Sequence, residues 1–442
     1  MINWITKALG YPLSPPNQVN PLDLLTANRF DVMAKYIFAK YREKEINSEW
    51  HIQLYFEHLK VWNNFNEKNR YGEQKKRTEE EFLNSFDTLL DSFKKHGFNQ
   101  ELSKLWVDSK GNLINGSHRL AVCLFFNCTP SVEIRPSNQG QINCSAEYFR
   151  NKTNFVKTGL SSSSLDAMAL YYARLKPTAF IVTLFPVIAG KDERARSILK
   201  KFGSFVNEKP VYLNKIGAAN YIMILYEGEK WLGTWKDQFK GAMGKVEPCF
   251  PNDKPLTVIL FECDDIQTAK NAKEEIRALY NIGNHSIHIS DTHEETIRTA
   301  EAIFNENSIH FLNNSRLSSD QSRFLRLLPT LRKKIRKLKQ NPEDICITAS
   351  AVLAAYGMRD CRDFDYLHRE GLDMPVLDKD IQNHISESRY YPDNPDEIIY
   401  NPKNHFYHEG TKFASLEVMR RFKTKRKEDK DVRDLKLINE IR

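Results

Sequence analysis

The sequence predicts a mixed α/β (α+β) fold built from several domains. Its 442 residues exceed the roughly 250 to 300 residues at which a single hydrophobic core stops growing. Between residues 150 and 315, apolar strand-like runs alternate with helical ones, as they do where helices pack on a sheet. A compact pattern of helix, strand, turn, strand and helix fills residues 79–127, and Gly97 is the predicted end of its first helix. We expect an N-terminal domain with a helical extension at 1–150, a central α/β domain at 151–318, a basic amphipathic linker helix at 319–340 and a C-terminal domain at 341–442.

The composition is that of a soluble globular protein, with 41% hydrophobic and 28% charged residues. The N-terminal segment lacks the apolar core of a secretory signal, and no apolar run approaches the ~20 residues that span a bilayer. The seven cysteines are scattered and form no C-x-x-C pair. This pattern argues against a zinc framework and for reduced thiols. We therefore expect a cytoplasmic protein.

In the N-terminal helical region, residues 21–65, three charged residues interrupt an otherwise apolar pattern near the start. Asp31 and Lys35 are spaced as an i,i+4 ion pair, and Arg29 precedes them. One interpretation is a solvated ion pair on a helix surface. The other is that Arg29, Asp31 and Lys35 add charge to a binding pocket of the domain that follows.

The stretch 113–126, LINGSHRLAVCLFF, predicts a corner at which a strand becomes a helix. A helix N-terminus presents unpaired N–H groups and the positive end of the helix dipole, and so it suits a phosphate group. Gly116 would let the backbone approach the ligand closely, and Ser117 would cap the helix. Arg119 could bond two phosphate oxygens, and His118 would act as a donor or a proton shuttle. Asn115 would join them in cradling the phosphate. The alternative is an ordinary capped turn with an arginine salt bridge.

Residues 79–127 resemble the ParB/sulfiredoxin family, in which a G-x-H-R turn opens a helix. Ser92, Phe93, Gly97 and Val107 match the pattern, and the G-S-H-R residues match its turn. In that family the turn binds the phosphates of ATP or CTP, and its members include nucleotide hydrolases, a free-serine kinase and the sulfinic acid reductase. Ser117 stands where sulfiredoxin has its reactive cysteine, which argues against sulfinic acid reduction.

A second group of polar residues lies in the segment 273–295, KEEIRALYNIGNHSIHISDTHEE. Lys273 and Arg277 lie one helical turn apart, and His285 and His288 follow in a predicted strand. Because alternate strand residues share a face, the two histidines point in opposite directions, which argues against a metal site. Thr292 and Glu295 are spaced as a capping box, which predicts that a helix begins there. The group either receives an anionic substrate or is purely structural.

The basic segment 321–340, QSRFLRLLPTLRKKIRKLKQ, contains eight Lys or Arg and no acid. Leu328, Leu331, Ile335 and Leu338 recur at helical spacing and predict a basic amphipathic helix. Such a helix is either a solvated connection between domains or a peripheral contact with an anionic membrane. It lacks the interleaved aromatic residues of a single-strand binder, which argues against nucleic acid as a partner.

The C-terminal domain contains the sequence Asp363-Phe364-Asp365 after Ser350. Two carboxylates at i and i+2 of a strand share a face and can hold Mg²⁺ against phosphates. The segment resembles the DNA polymerase β-type nucleotidyltransferases, which have a glycine-serine pair followed by D-x-D. The sequence departs from that pattern because "TAS" replaces the glycine-rich start and no third carboxylate is evident. Active and degenerate copies therefore remain as alternatives.

The chain as a whole resembles proteins of bacterial surface-polysaccharide (capsule or O-antigen) clusters. The resemblance rests on NRFDVMAKYIFAKYREK, NGSHRLA, HSIHISDTHEE, GMRDCRDFDYLH and YNPKNHFYHEGTKFASLE. Some of those proteins are similar to glycan phosphoribosyltransferases, which use phosphoribosyl pyrophosphate. This resemblance implies a phosphorylated sugar donor and a glycan acceptor, which could be lipid-linked and reached at the inner membrane face.

On this interpretation, His118 and Arg119 are the catalytic candidates, and Asp363 and Asp365 are the candidate Mg²⁺ ligands. The expected substrate-binding residues are Arg29, Asp31, Lys35, Asn115, Gly116, Ser117, Lys273, Arg277, His285 and His288. The first alternative is an ATP-dependent kinase or nucleotidyltransferase acting on a sugar or small molecule. The second is a non-catalytic ParB-like protein that binds nucleic acid.

Overall fold

The computed structural model describes residues 18–68, 74–99, 104–135, 142–151, 157–234, 237–316 and 321–441. These residues form a mixed α/β fold of two compact units. Unit 1 comprises the described residues of 1–45, 51–176 and 205–207. Unit 2 comprises those of 46–50, 177–204 and 208–442. No helix among the described residues is long and apolar enough to cross a membrane.

Unit 1 surrounds a small three-stranded sheet with helices. Its helices are α1 (Pro21–Leu24), α2 (Asp31–Glu43), α3 (Trp50–Asn63), α4 (Glu79–His96), α5 (Ser117–Phe126), α6 (Ala146–Arg150) and α7 (Ser162–Leu175). Its strands are β1 (Glu67–Lys68), β2 (Gln74–Lys76), β3 (Leu105–Val107), β4 (Leu113–Asn115) and β5 (Val132–Ile134). β1 and β2 form an antiparallel pair, whereas β3 lies between antiparallel β4 and parallel β5.

The core of unit 1 forms where α4 packs against α2, α3 and α5. Along α4, Phe82, Phe86, Leu90 and Phe93 recur every three or four residues, and all four are buried. They pack in one cluster with Phe38 and its neighbours. Burying each of these side chains stabilises the fold by roughly 1.5–3 kcal/mol. Gly97, with φ of +66°, ends α4 as the sequence predicts.

Unit 2 contains two sheets. Its helices are α8 (Glu193–Phe202), α9 (Lys215–Leu225), α10 (Lys240–Cys249), α11 (Ile266–Tyr280), α12 (His293–Ile303), α13 (Glu306–Asn314), α14 (Ser322–Lys337), α15 (Ser350–Ala355), α16 (Pro395–Tyr400), α17 (Leu416–Arg426) and α18 (Asp429–Glu440). Its strands are β6 (Ala179–Leu184), β7 (Gly203–Val211), β8 (Leu256–Cys263), β9 (Ile287–Ile289), β10 (Ile345–Thr348), β11 (Phe364–His368), β12 (Ile381–Asn383), β13 (His405–His408) and β14 (Thr411–Ala414).

The two sheets of unit 2 differ in their pairing. The first has the order β7-β8-β6-β9, and β6 runs antiparallel to both of its neighbours. The second has the order β12-β11-β10-β14-β13 and is mixed, since β10 pairs antiparallel with β11 and parallel with β14. The alternation of strands and helices in the sequence therefore does not produce a purely parallel sheet here.

The basic amphipathic helix α14 packs its apolar side within unit 2. Phe324 lies against the rings of Phe364 and Phe413, at centroid distances of 5.5 and 6.1 Å. Leu328, Leu331 and Ile335 are also buried, whereas Leu338 follows the helix and is 37% exposed. The apolar side of α14 is thus already covered by the protein, and its cationic side faces outward.

Candidate functional site

A cavity of about 630 Å³ lies in unit 1 at the corner between β4 and α5. Its wall combines this corner with parts of α2, α3 and α4 and with strands β1 and β2. The cationic side chains that line it are Arg29, Lys35, Lys75, Lys76 and Arg119. The lining carboxylates are Asp31 and Glu67. The excess of positive charge makes this cavity suited to an anion.

Gly116 is required at the corner for two reasons. Its φ of +105° is strained for any other residue, and a Cβ there would lie 2.6 Å from Leu105 Cδ2. The carbonyl of Gly116 accepts the N–H of Leu120 at 2.8 Å, which starts α5. The N–H groups of the first helical turn have no carbonyl partner within the helix, and they lie next to the cavity. The sharp turn therefore brings the positive end of α5 to the cavity wall.

Ser117 does not cap α5, contrary to the prediction. The N-cap is Gly116, and no side chain bonds the first turn. Ser117 is instead the first residue of the helix, and its Oγ accepts a hydrogen bond from Lys35 Nζ at 2.9 Å. The serine hydroxyl thus links α5 to α2 at the edge of the cavity.

Arg29, Asp31 and Lys35 form a buried ion-pair network. Arg29 donates from Nε and Nη2 to the two carboxylate oxygens of Asp31, at 2.9 and 3.0 Å. Lys35 donates to Asp31 Oδ2 at 2.5 Å, and Arg29 Nη1 donates to the carbonyl of Leu113 at 2.9 Å. All three charged residues are at most 5% exposed. The interpretation of Asp31 and Lys35 as a solvated pair is therefore wrong, because helix α2 turns this face inward.

The protonation state of Asp31 follows from its two partners. Burial alone would raise the pKa of Asp31, but the charges and hydrogen bonds of Arg29 and Lys35 lower it far below its usual value. Asp31 is therefore an anion held between two cations. It fixes the position of Lys35 at the helix N-terminus and has little tendency to accept a proton.

His118 contacts a tyrosine that the sequence analysis did not identify. Its Nε2 lies 2.9 Å from the hydroxyl of Tyr55, and its ring stands edge-on to Phe86 at 5.0 Å. Burial lowers the pKa of His118 well below its usual value, and the nearby charges of Lys35 and Lys76 lower it further. The imidazole is therefore neutral at physiological pH.

The buried position of Tyr55 determines the tautomer of His118. Tyr55 is fully buried, and within the described part of the chain its hydroxyl has no acceptor other than His118 Nε2. An unpaired buried O–H is costly, so the hydroxyl donates to Nε2. The imidazole then carries its proton on Nδ1. His118 can thus offer an N–H group to an anion in the cavity.

Arg119 and Asn115 complete the predicted corner. Arg119 donates from Nη1 to the carbonyl of Lys104 at 2.8 Å, which occupies one of its nitrogens. Burial lowers the pKa of Arg119, but an arginine remains charged near neutral pH. Asn115 ends β4, pairs with Trp106 and is exposed.

The sequence does not single out several further polar residues of the cavity, which include Tyr55, Glu67, Lys75 and Lys76. Lys76 and Lys75 lie 2.8 and 3.4 Å from the carboxylate oxygens of Glu67. Lys76 also lies over the ring of Phe82, at 4.6 Å from its centroid. These lysines come from the charged segment EKNRYGEQKKRTEEE, and two adjacent lysines in such a segment give no sign that they line a cavity.

The second predicted group, around Lys273, lies in unit 2. Lys273 is buried and pairs with Asp291 at 2.9 Å, whereas Arg277 pairs with Glu274 at 2.9 Å. His285 lies in a 3₁₀ turn at Gly283–His285, so the predicted strand is shorter than expected and begins at Ile287.

His288 has a carboxylate partner in the same region. Its Nε2 lies 2.6 Å from Glu295 Oε1, and Glu295 Oε2 accepts the N–H of Asp291 at 2.8 Å. Thr292 caps α12 by accepting the N–H of Glu295 at 3.1 Å, as predicted. Lys273 and His288 therefore already have protein partners.

The third predicted group, Asp363 and Asp365, lies at the start of β11 in unit 2. Burial raises the pKa of Asp365 to about 7, and the charge of Asp363 contributes to the shift. Ser350 Oγ lies 3.3 Å from the Asp363 carbonyl. Two neighbouring carboxylates that repel each other suit Mg²⁺, which could take these two as ligands.

On the two strands that flank β11, the residues opposite Asp365 are not acidic. Gln382 of β12 lies on one side of Asp365, and Thr348 of β10 lies on the other. Within the residues that the structure describes, no group of three or more His, Cys, Asp or Glu side chains could hold a metal ion. Any further ligands of an ion bound here would come from substrate or water.

Of the three predicted groups of residues, the one at the corner of β4 and α5 thus lines a cavity at which several cations and a helix N-terminus meet. It contains Arg29, Asp31, Lys35 and the residues 115–119, whereas Lys273, Arg277, the two histidines and the Asp-Phe-Asp segment lie in unit 2. No protein-family model matches the chain, and no curated protein or solved structure matches it either.

Proposed function

We propose that the protein is a transferase that moves a phosphoribosyl group from phosphoribosyl pyrophosphate to a glycan in bacterial surface polysaccharide synthesis. The cavity of unit 1 would bind the donor. The observation that carries this proposal is the position of Lys35, whose Nζ joins the buried carboxylate of Asp31 to Ser117 at the N-terminus of α5. A cation, a helix N-terminus and a donor imidazole then face the same space.

The chemistry of the transfer requires stabilisation of the leaving pyrophosphate. The bond between C1 of ribose and the pyrophosphate oxygen breaks, and the pyrophosphate leaves with the electron pair. Lys35, Arg119 and the first-turn N–H groups of α5 would hold this developing charge, and the Nδ1–H of His118 would add one more donor. Fixed donors that are already in place when the charge develops lower the barrier of such a reaction.

The acceptor hydroxyl must lose its proton as its oxygen bonds to C1. His118 is occupied at Nε2 by Tyr55, and Asp31 is held as an anion by two cations. Glu67 is the other carboxylate of the cavity wall. It also pairs with two lysines, but its side chain is 29% exposed, so these pairs are better screened by water than the buried pairs of Asp31. We assign Glu67 the role of general base in this proposal.

A second candidate is an ATP-dependent kinase or a nucleotidyltransferase. Aromatic side chains also line the cavity, and Trp62 among them is partly exposed. A nucleobase could stack there while its phosphates occupy the cationic end. The carboxylates of Asp363 and Asp365 favour the same class, because two acidic groups can hold the Mg²⁺ of a nucleoside triphosphate.

Thermal shift measurements with each nucleotide or sugar ligand and Mg²⁺ distinguish the two candidates. Phosphoribosyl pyrophosphate at a hundred times its Kd should stabilise the protein by about 2.7 kcal/mol. We expect Arg119→Ala to abolish this effect. Arg42→Gln, which alters an exposed pair between α2 and Asp87 of α4 in the same unit, should retain it. Stabilisation by ATP or CTP but not by phosphoribosyl pyrophosphate would contradict the first candidate and support the second.

A further inference from the structure

Lys245 of α10 is a buried cation that has no carboxylate partner among the described residues. It is 7% exposed, and its Nζ donates to the carbonyl and the Oδ1 of Asn284, at 3.1 and 3.2 Å. Its other neighbour is the ring of Tyr226, whose centroid lies 5.0 Å away. A buried ammonium is normally paired with an anion, because removing it from water is costly. The positive charge of Lys245 is thus left uncompensated by the described chain.

Two further donors lie close to Lys245. The Nε of Arg277 and the hydroxyl of Tyr226 are buried atoms that find no hydrogen-bond partner in the described parts of the chain. Arg277 uses Nη1 for Glu274, a side chain that is 68% exposed and therefore well screened by water. Besides burial, the charge of Arg277 lowers the pKa of Lys245. The two cations are therefore near enough to repel each other.

The ring of Tyr226 is fixed between its neighbours. Lys245 lies over the ring, and His288 stands edge-on to it at 4.9 Å. Burial raises the pKa of Tyr226 far above its usual value. The phenol consequently keeps its proton, so that its hydroxyl is a donor at a fixed position.

His285 adds a fourth donor at the surface. Its Nδ1 lies 3.7 Å from Cys249 Sγ, and burial raises the pKa of that thiol to about 11. The protonated thiol can therefore donate to Nδ1, and the imidazole proton then lies on Nε2. His285 is partly exposed and the adjacent Asn284 is exposed, so the side of this group that His285 forms lies at the surface.

We propose that Tyr226, Lys245, Arg277 and His285 form a binding site in unit 2 for the phosphate group of a small molecule. Two cations match the double charge of a phosphate monoester, and the donors are groups to which its oxygens can bond. This site goes beyond the proposed function, which uses the cavity of unit 1. Lys273 and His288, although predicted as substrate contacts, are not part of it because they are already paired with Asp291 and Glu295.

Inorganic phosphate provides the test, in full-length protein that carries Arg119→Ala so that the cavity of unit 1 is weakened. Phosphate binding is measured by ³¹P NMR line broadening and by thermal shift. We expect Lys245→Met and Arg277→Gln each to weaken binding by about tenfold or more. Arg298→Gln is the matched control, since Arg298 lies in the same unit and pairs with Glu227. It should bind phosphate as its parent does.

The two site variants also differ in a second readout. Lys245→Met removes an uncompensated buried charge, so it should unfold at a higher temperature than its parent when phosphate is absent. If that variant does not fold, Arg277→Gln carries the test, because its side chain is 25% exposed. Unchanged phosphate affinity in Arg277→Gln, or no phosphate binding by the Arg119→Ala parent, would overturn the proposal. If citrate raises the melting temperature more than phosphate does, phosphate is the wrong choice of ligand.

Discussion

The Nζ of Lys35 lies 2.9 Å from the Oγ of Ser117. Through this bond the middle of α2 contacts the first residue of α5. The same ammonium group is held by Asp31, which Arg29 also binds. A charged side chain is thereby fixed at a helix N-terminus by groups that are themselves buried. In the proposed function, this ammonium group is one of the donors that hold the diphosphate of the donor substrate.

Asp31→Asn should lower the free energy of unfolding strongly. It leaves two buried cations without their shared carboxylate, at a cost of about 3–5 kcal/mol. The matched control is Asp87→Asn, which breaks the exposed pair with Arg42 and should cost less than about 1 kcal/mol. Urea denaturation at neutral pH measures both values. Equal effects of the two variants would show that the buried network does not stabilise unit 1.

Tyr55→Phe should weaken the binding of inorganic pyrophosphate about tenfold, which corresponds to about 1.4 kcal/mol. Without the tyrosine hydroxyl, His118 no longer has its proton directed to Nδ1, and a neutral tautomer without an N–H group toward the cavity becomes populated. Tyr148→Phe is the control, since among the described residues that hydroxyl bonds only to the carbonyl of Trp62, at 3.4 Å. Isothermal titration calorimetry measures the affinities. Unchanged affinity in Tyr55→Phe would contradict the assigned tautomer.

Glu67→Gln should reduce the rate of phosphoribosyl transfer but leave donor binding largely intact. Removing a general base typically costs about 10² to 10⁴ in rate. Turnover is measured with saturating donor, and donor affinity is measured separately by thermal shift. A variant with full turnover would exclude Glu67 as the base while leaving the donor site itself untouched.

His58 should make the protein less stable in mild acid. Burial lowers its pKa to about 3, so the unfolded chain binds a proton below about pH 6.5 that the folded chain does not. Stability is lost as the pH falls through this window, by about 2 kcal/mol at pH 5. In His58→Phe, which keeps the ring packing against Tyr55 and Phe149, the loss between pH 7 and pH 5 should be smaller by this amount. Parallel pH profiles for the two proteins would show that His58 titrates normally.

Asp365 should have the opposite pH dependence. Its pKa of about 7 in the folded protein lies above that of the unfolded chain. Its contribution is therefore present at low pH and is lost as the pH rises toward 7 and above, by roughly 3 kcal/mol after allowance for partial exposure. Asp365→Asn should thus raise the melting temperature at pH 8 more than at pH 5. Asp393→Asn, at a more exposed pair with Arg421, is the control.

Mg²⁺ gives a separate test of the same carboxylates. An ion held by Asp363 and Asp365 would relieve their repulsion, so millimolar Mg²⁺ should raise the melting temperature of the unmodified protein at pH 8. The effect should be absent in Asp365→Asn. An equal effect of Mg²⁺ on both proteins would place the ion elsewhere.

Helix α14 should bind anionic vesicles by charge alone. Its apolar side is buried in unit 2, whereas Lys333, Arg336 and Lys337 are exposed. Phosphatidylserine vesicles should therefore retain the protein at low salt and release it near 1 M salt, where the Debye length is about 3 Å. Replacing the three cations by Gln should prevent retention, but Leu338→Ser should not. Retention that resists salt would indicate insertion of an apolar surface.

The sequence alone predicted the local structure where short-range chemistry determines it. Gly97 ends α4 because a positive φ suits glycine. Gly116 turns the chain into α5, and Thr292 caps α12. The spacing of apolar residues also predicted the amphipathic helix α14, although Leu338 of that pattern is exposed. The sequence does not predict the hairpin of β13 and β14, in HFYHEGTKFA, since its strands are short and its buried residues include His405 and Lys412.

The tertiary structure alone decided which of the predicted residues meet. Asp31 and Lys35 have the spacing of an ordinary surface pair, and only the packing of α2 against α5 makes them a buried network beside Ser117. Tyr55 and Lys76 come from distant segments and have no local pattern that marks them. The sequence determined which groups can hold an anion, because donors and charges are properties of the residues. Their convergence required the fold, since burial and partners are set by contacts between residues far apart in the chain.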